Sequence, residues 1–196
     1  MSNEALIIFA KNPEIGQVKT RLAKKVGDAE ALAIYEKLLA FTQVESAKTK
    51  ADVIVYFTPK IPQKDGWGAV DKKLQSSGDL GIRMSDALKS ELANYDKVCI
   101  IGTDCAQLTG EFITDAFAQL NSHDVVLGPA NDGGYYLLGM KQFEASLFEG
   151  IDWSTEKVLN QTVGAINALN KSYALLPQLI DVDTIEDWEK VKQNFE

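Results

Sequence analysis

An uninterrupted apolar run, Val98-Cys99-Ile100-Ile101, ends abruptly in Gly102-Thr103-Asp104. Four apolar residues closed by a polar turn read as a strand buried on both faces, a pattern typical of parallel sheets covered by helices on each side. The pattern recurs at Ala5–Ala10, at Val53–Phe57 and at Val125–Leu127, with helix-periodic stretches between. Strands that alternate with helices predict an α/β chain: a Rossmann-like, three-layer α/β/α arrangement around a mostly parallel sheet. With 196 residues, no internal repeat and no linker-like tract, one domain is expected.

Helices are predicted from about Val18, over 28–48 with Asp28 as candidate N-cap, from the turn at Gly78 to Asn94, over 111–121, over 141–149 and over 155–169 capped by Ser154 or Thr155. A last helix opens at Thr184, where Thr184 and Asp187 fit a capping box. Residues 59–70, with Pro59, Pro62, Gly66 and Gly68, read as irregular, with Trp67 closing the edge of the core. Short strands are expected at 173–176 and 179–180. Tyr135-Tyr136-Leu137-Leu138-Gly139 follows the Asp132-Gly133-Gly134 turn and reads as a strand that leaves the parallel pattern.

The net charge of −8 argues against a nucleic-acid partner. No apolar run approaches the ~20 residues of a membrane helix, and Met1-Ser2-Asn3-Glu4 lacks a signal-peptide charge pattern, so a cytoplasmic protein is expected. Cys99 and Cys105 form neither a disulfide framework nor a metal-ligand spacing and read as core residues. His123, the only histidine, reads as a solvated loop residue.

Against the acidic background, Lys11, Lys19, Arg21, Lys24 and Lys25 fall in a stretch with a single acid, Glu14. A strand, a loop marked by Pro13 and Gly16 and a helix start are where α/β folds bind phosphate; the alternative is a surface loop of solvated lysines. Lys19 is expected to contact phosphate, and as a surface residue its replacement by Ala should change stability by about ±0.5 kcal/mol. Asp104, at the carboxyl end of a central strand beside Gly102, either braces its turn or holds a divalent metal. Gly78, Asp79 and Arg83 either build a turn and a solvated helix start or face the ligand. The Asp132-Gly133-Gly134 turn fits a plain hairpin, yet the crowding of Gly128, Gly133, Gly134 and Gly139 also suits a ligand lying against backbone.

Five motifs then agree in order: Phe9-Ala10-Lys11-x-Pro13-x-x-Gly16-x-Val18-Lys19-Thr20-Arg21-Leu22, Gly78-Asp79-Leu80-Gly81-x-Arg83-Met84, Gly102-Thr103-Asp104-Cys105, Gly128-Pro129-Ala130-x-Asp132-Gly133-Gly134-Tyr135-Tyr136 and Asp181-Val182-Asp183-Thr184. Together they resemble a bacterial glycosyltransferase-like family of the nucleotide-diphospho-sugar transferase superfamily with the GT-A fold, similar to the guanylyltransferases of molybdenum-cofactor and phospholactate pathways. The resemblance covers nearly the whole chain. It implies a metal-dependent transferase with a nucleotide or nucleotide-sugar substrate, and Mg²⁺ or Mn²⁺ on Asp104 and Asp183. By the same resemblance, Lys19 and Asp104 are catalytic. Lys19 and Arg21 match the basic residues of the phosphate loop, and Asp132, Gly133 and Gly134 the acceptor-side loop; Lys11, Gly16, Gly78, Asp79 and Arg83 are expected to join Lys19 and Arg21 in contacting nucleotide or phosphate. Thr103-Asp104-Cys105 carries one Asp where many GT-A glycosyltransferases carry Asp-x-Asp, and only Gly16 precedes Lys19 where nucleotidyltransferases have a Gly-rich loop. The resemblance implies glycosyl transfer first, nucleotidyl transfer with release of pyrophosphate second, and nucleotide binding without turnover third.

Overall fold

The protein is seen in a computed structural model that describes residues 3–195. Its strands are β1 (Glu4–Lys11), β2 (Asp52–Thr58), β3 (Asp71–Leu74), β4 (Lys97–Ile101), β5 (Val125–Pro129), β6 (Tyr135–Met140) and β7 (Tyr173–Leu175). They form one sheet in the order β3-β2-β1-β4-β6-β5-β7. β6 runs antiparallel to both β4 and β5, and every other pairing is parallel. The apolar runs therefore sit where burial is greatest, and β4 is the middle strand of the seven.

The helices are α1 (Thr20–Val26), α2 (Asp28–Ser46), α3 (Leu80–Glu91), α4 (Gly110–Gln119), α5 (Val158–Ala168) and α6 (Ile185–Val191). Strand side chains alternate between two cores, as a period of two demands. Leu6, Ile8, Cys99 and Ile101 join Ile113 and Phe117 of α4 on one face. Ala5, Ile7, Val98 and Ile100 meet Met84 and Leu88 of α3 and Ile166 of α5 on the other. α1, α2 and α6 close a third cluster through Leu22, Ile34, Leu38 and Trp188. Each large side chain buried this way stabilises the fold by about 1.5–3 kcal/mol.

Several local expectations are corrected. α1 starts at Thr20 rather than Val18, and Gly27, not Asp28, precedes α2. Only a 3-10 turn, Ala145–Phe148, forms within 141–149. α5 starts at Val158, because Ser154 adopts a left-handed backbone and Thr155 Oγ1 donates to the Asp152 carbonyl instead of capping a helix. Leu179 makes an isolated bridge to Ala130 rather than a strand. β3 has no apolar signal, since as an edge strand it is half solvated. The capping box of Thr184 and Asp187 is present, and Trp67 is buried in the core. Both cysteines are buried free thiols, and burial pushes Cys105 up to about 12. Among the described residues no helix is long and apolar enough to cross a membrane.

The chain winds from β1 outward through β2 to β3, then returns to the opposite side of β1 as β4. The carboxyl ends of β1 and β4 thus diverge at a switch point, where open α/β sheets leave a crevice.

Candidate active site

A cavity of about 600 Å³ opens at this crevice. Lys11, at the end of β1, lines it, and its main chain is clamped by Tyr35 of α2. The Lys11 N–H donates to Tyr35 Oη at 3.0 Å, and the hydroxyl donates back to the Lys11 carbonyl at 2.9 Å. Burial pushes that hydroxyl up to about 12, so it remains a neutral donor. At the end of β4, Gly102, Thr103 and Asp104 also line the cavity. A methyl group on Gly102 would meet nothing within 4 Å. Its value at this place is therefore room beside Asp104, not relief of a clash.

Asp183 reaches Asp104 from the far end of the chain by backbone pairing. Cys105 and Asp181 form an antiparallel bridge, and the Val182 N–H donates to the Asp104 carbonyl at 3.0 Å. Both carboxylates then meet Lys19. Its Nζ lies 2.7 Å from Asp104 Oδ1 and 3.9 Å from Asp183 Oδ1, and donates to the Val182 carbonyl at 2.6 Å. The Lys19 side chain is only 4% exposed, against 41% for Asp104 and 39% for Asp183. Lys19 is consequently not a surface lysine, which revises the expectation of a near-neutral replacement. Its backbone is left-handed, with φ 48° and ψ 42°, at the N-cap of α1. That conformation carries a cost for a residue with a Cβ, and the three oxygen contacts hold it in place. Arg21 Nη1 donates to Asp183 Oδ2 at 3.0 Å from a side chain that is 67% exposed.

Asp181 is a site residue that the sequence left without a role. It lines the cavity, and enclosure there pushes its carboxyl up to about 7, with Asp104, Asp132 and Asp183 adding to the rise and Lys19 opposing it. The alternation Asp181-Val182-Asp183 was its signal: in an extended segment, residues two apart share a face.

The remaining walls come from α3 and from the β5–β6 turn. Arg83 lines the cavity and is steadied by Gln75, whose Oε1 accepts from Arg83 Nη1 at 3.0 Å. Asp79 does not line it; it caps α3, accepting from the Ile82 N–H at 2.9 Å. Gly16, Gly78 and Gly133 also stay out of the lining, each with a positive φ that serves a turn. Asp132 and Gly134 do line it, and Asp132 Oδ1 accepts from the Gly134 N–H at 2.9 Å. Gly133 instead permits a close seam, since a Cβ on it would stand 2.3 Å from the Glu156 carbonyl oxygen. Residues 153–156 complete the wall between α3 and this turn. Trp153 lies so close to Gly81 that a Cβ there would come within 2.1 Å of its Nε1, and Glu156 sits at the other end. Nothing in the local pattern of Asp152-Trp153-Ser154-Thr155 distinguishes this wall segment from a helix entry, which is how it reads in sequence.

The cavity therefore has two unlike sides. Lys11, Lys19 and Arg21 enter from β1 and α1, and Arg83 from α3. Asp132 and Glu156 enter from beyond β4, on the β5–β6 side. Two hard carboxylates, Asp104 and Asp183, converge where a cation, here the Lys19 ammonium, already stands between them. That donor set fits Mg²⁺ or Mn²⁺, which take one or two carboxylates and leave positions for substrate phosphate. Among the described residues no group of three or more His, Cys, Asp or Glu is placed to hold a metal by itself.

Comparison with known proteins agrees with this fold. A solved structure from Desulfovibrio desulfuricans G20, provisionally described as a nucleotide-diphospho-sugar transferase, is 32% identical. It matches over 95% of this chain and 85% of its own, with a TM-score of 0.90. A CMP:2-keto-3-deoxy-manno-octonic acid synthetase complexed with CTP shares the fold at 10% identity, covering 99% of this chain and 98% of its own, with a TM-score of 0.63. So does Rv0371C of Mycobacterium tuberculosis H37Rv in complex with manganese, at 11% identity, 98% of each chain and a TM-score of 0.59. No protein of curated function matches the sequence. A family model described as an uncharacterized protein conserved in bacteria, DUF2064, matches residues 41–155. With that match and the Desulfovibrio relative, the chain belongs to the DUF2064 family, a branch of the nucleotide-diphospho-sugar transferase superfamily.

Proposed function

We propose that the protein is a metal-dependent glycosyltransferase that takes a nucleotide-activated sugar and passes the sugar to a hydroxyl group. The observation that carries this reading is the opposition of charge across one cavity. Lys11, Lys19, Arg21 and Arg83 suit a diphosphate, whereas Asp132 and Glu156 suit hydroxyl donors and repel a phosphorylated acceptor. The 32% identical relative supports the donor class by its description, and the fold neighbours described with CTP and with manganese support a nucleotide and a divalent ion.

Asp104 and Asp183 would hold Mg²⁺ or Mn²⁺, which supplies electrostatic stabilisation of the departing nucleoside diphosphate. Arg21, Arg83 and Lys11 neutralise the remaining phosphate charge and orient the donor over the ends of β1 and β4. The bond between the anomeric carbon and the diphosphate oxygen breaks, and the acceptor oxygen forms the new bond. The acceptor proton passes to a carboxylate on the Asp132 and Glu156 side. Trp153 and the close seam at Gly133 shape that side of the cavity. A cytoplasmic location accords with the use of an activated nucleotide; neither nucleic acid nor a membrane enters this reading.

A second reading, nucleotidyl transfer with pyrophosphate leaving, rests on the single Asp of Thr103-Asp104-Cys105 and on Lys19 standing beside it. Incubation with Mg²⁺ or Mn²⁺ separates the two. A panel of sugar nucleotides should release nucleoside diphosphate, and nucleoside triphosphates should release no pyrophosphate. Pyrophosphate release would replace the first reading by the second. Saturable nucleotide binding with neither product would leave a binding protein without turnover.

A further inference from the structure

We infer that the Lys19 ammonium and a divalent cation are alternative occupants of the space between Asp104 and Asp183, so that metal and nucleotide bind as a coupled pair. The inference rests on the transferase reading only for the identity of the nucleotide.

Lys19 Nζ is bound by two oxygens, Asp104 Oδ1 at 2.7 Å and the Val182 carbonyl at 2.6 Å, and lies 3.9 Å from a third, Asp183 Oδ1. The side chain that delivers it is 4% exposed, and its backbone is held in a left-handed conformation. A lysine kept this way is a fixed countercharge, not a solvated tether. It neutralises two carboxylates that lie close together, with a third, Asp181, beside them. A divalent ion seated on the same carboxylates would face a full positive charge at contact range in a crevice poorer in water than the bulk, and that repulsion is steep. One of the two cations has to leave.

The protein alone gives the metal little reason to win. Two carboxylates make an incomplete shell, and among the described residues no group of three or more His, Cys, Asp or Glu is placed to hold a metal by itself. A diphosphate changes both sides of the exchange. It offers oxygens to the metal and also a new anion for the displaced ammonium, which a point charge on a four-carbon stem can reach by rotation. Arg21 behaves differently: it pairs with Asp183 through the other carboxylate oxygen from an exposed position, so it can stay while Lys19 moves. By linkage, whatever factor the nucleotide adds to metal affinity, the metal adds to nucleotide affinity. Lys19 is in this respect a positioning residue for the metal as well as a phosphate ligand.

The test measures Mn²⁺ binding by electron paramagnetic resonance and calorimetry, with and without CDP, GDP and UDP. In the wild type, Mn²⁺ alone should bind weakly and tighten at least tenfold with the nucleotide that binds best. Lys19→Gln should bind Mn²⁺ alone at least about tenfold more tightly than wild type, and the coupling factor should shrink. A variant whose Mn²⁺ affinity is equal to or weaker than wild type overturns the inference. A second readout needs no variant. Lys19 should be acetylated slowly by sulfo-N-hydroxysuccinimidyl acetate in the free protein, faster at saturating Mn²⁺ and slowly again once the nucleotide is added, while exposed Lys25 stays constant. Unchanged labelling of Lys19 at saturating Mn²⁺ also overturns it. If no nucleotide binds but Mn²⁺ and Lys19 still exclude one another, the transferase reading fails and the exchange stands.

Discussion

On the β1 side of the cavity, Lys19 and Arg21 are already paired with Asp104 and Asp183. On the β5–β6 side, Asp132 and Glu156 are exposed and, among the described residues, neither meets a cation. The cations of the cavity stand on the first rim together with Asp104, Asp181 and Asp183, whereas the second carries acids alone, and the two rims hold their charge differently. The basic rim is neutralised from within and tied to the fold through the Val182 carbonyl and the bridge at Cys105. The acidic rim is held by the seam of Gly133 against Glu156 and by the bond from the Gly134 N–H to Asp132. A ligand on the first rim has to replace ion pairs; a ligand on the second rim meets Asp132 tied only to the Gly134 N–H and the exposed Glu156 carboxylate. Stability and binding should therefore be entangled at Lys19 and separable at Glu156.

The largest loss is expected where backbone meets backbone. Gly133→Ala must accommodate a Cβ 2.3 Å from the Glu156 carbonyl oxygen at a φ of 88°. The left-handed conformation and the overlap together should cost about 3 kcal/mol in urea unfolding. An unchanged midpoint would mean that the acidic rim is not anchored by this seam.

Next comes Lys19→Ala, which removes the buried ammonium from two carboxylates that keep partial access to water. A loss of about 2 kcal/mol is expected, the scale of hydrogen bonds to charged groups, discounted for that access. Nucleotide affinity measured with metal present should fall about tenfold as well. Lys25→Ala, at an exposed site on the same helix, is the control and should sit within about 0.5 kcal/mol of wild type. Equal stability of the two variants would make the basic rim as loosely held as the acidic one.

Gly102→Ala separates room from fold. Its new methyl group meets nothing within 4 Å, so thermal unfolding should stay within the range of about 0.5 kcal/mol seen for neutral substitutions. It takes space beside Asp104, and titration with nucleotide and Mn²⁺ should show several-fold weaker binding, less than the effect of losing Lys19.

Glu156→Gln should be the mildest. With no partner to lose, its stability should match wild type within about 0.5 kcal/mol. With nucleotide and Mg²⁺ bound, the affinity for glucose 6-phosphate relative to glucose should rise about threefold, the effect of removing one partly screened charge. No change in that ratio would remove Glu156 from the acceptor wall.

Much of this architecture is legible in the chain by local physics. Val98–Ile101 and Ala5–Ala10 are apolar on both faces because both faces of a central parallel strand are covered, and their polar termini place Lys11 and Asp104 at the strand ends. The Thr184 capping box and the reversal of β6 after Asp132-Gly133-Gly134 are short-range, so they too read directly. The ordered motifs pointed to Asp183 as the partner of Asp104. What the chain could not declare is long-range. Whether Lys19 lies in solvent or is buried depends on the pairing of residues 181–183 with 104–105, contacts between segments far apart in sequence. Likewise Asp181 and the Trp153–Glu156 wall become site residues only because the Asp104 turn and the Gly133 seam bring them there. Periodicity and turn chemistry act over a few residues and so determine elements and strand ends. Charge neutralisation and wall formation depend on which ends meet, and only the tertiary structure decides that.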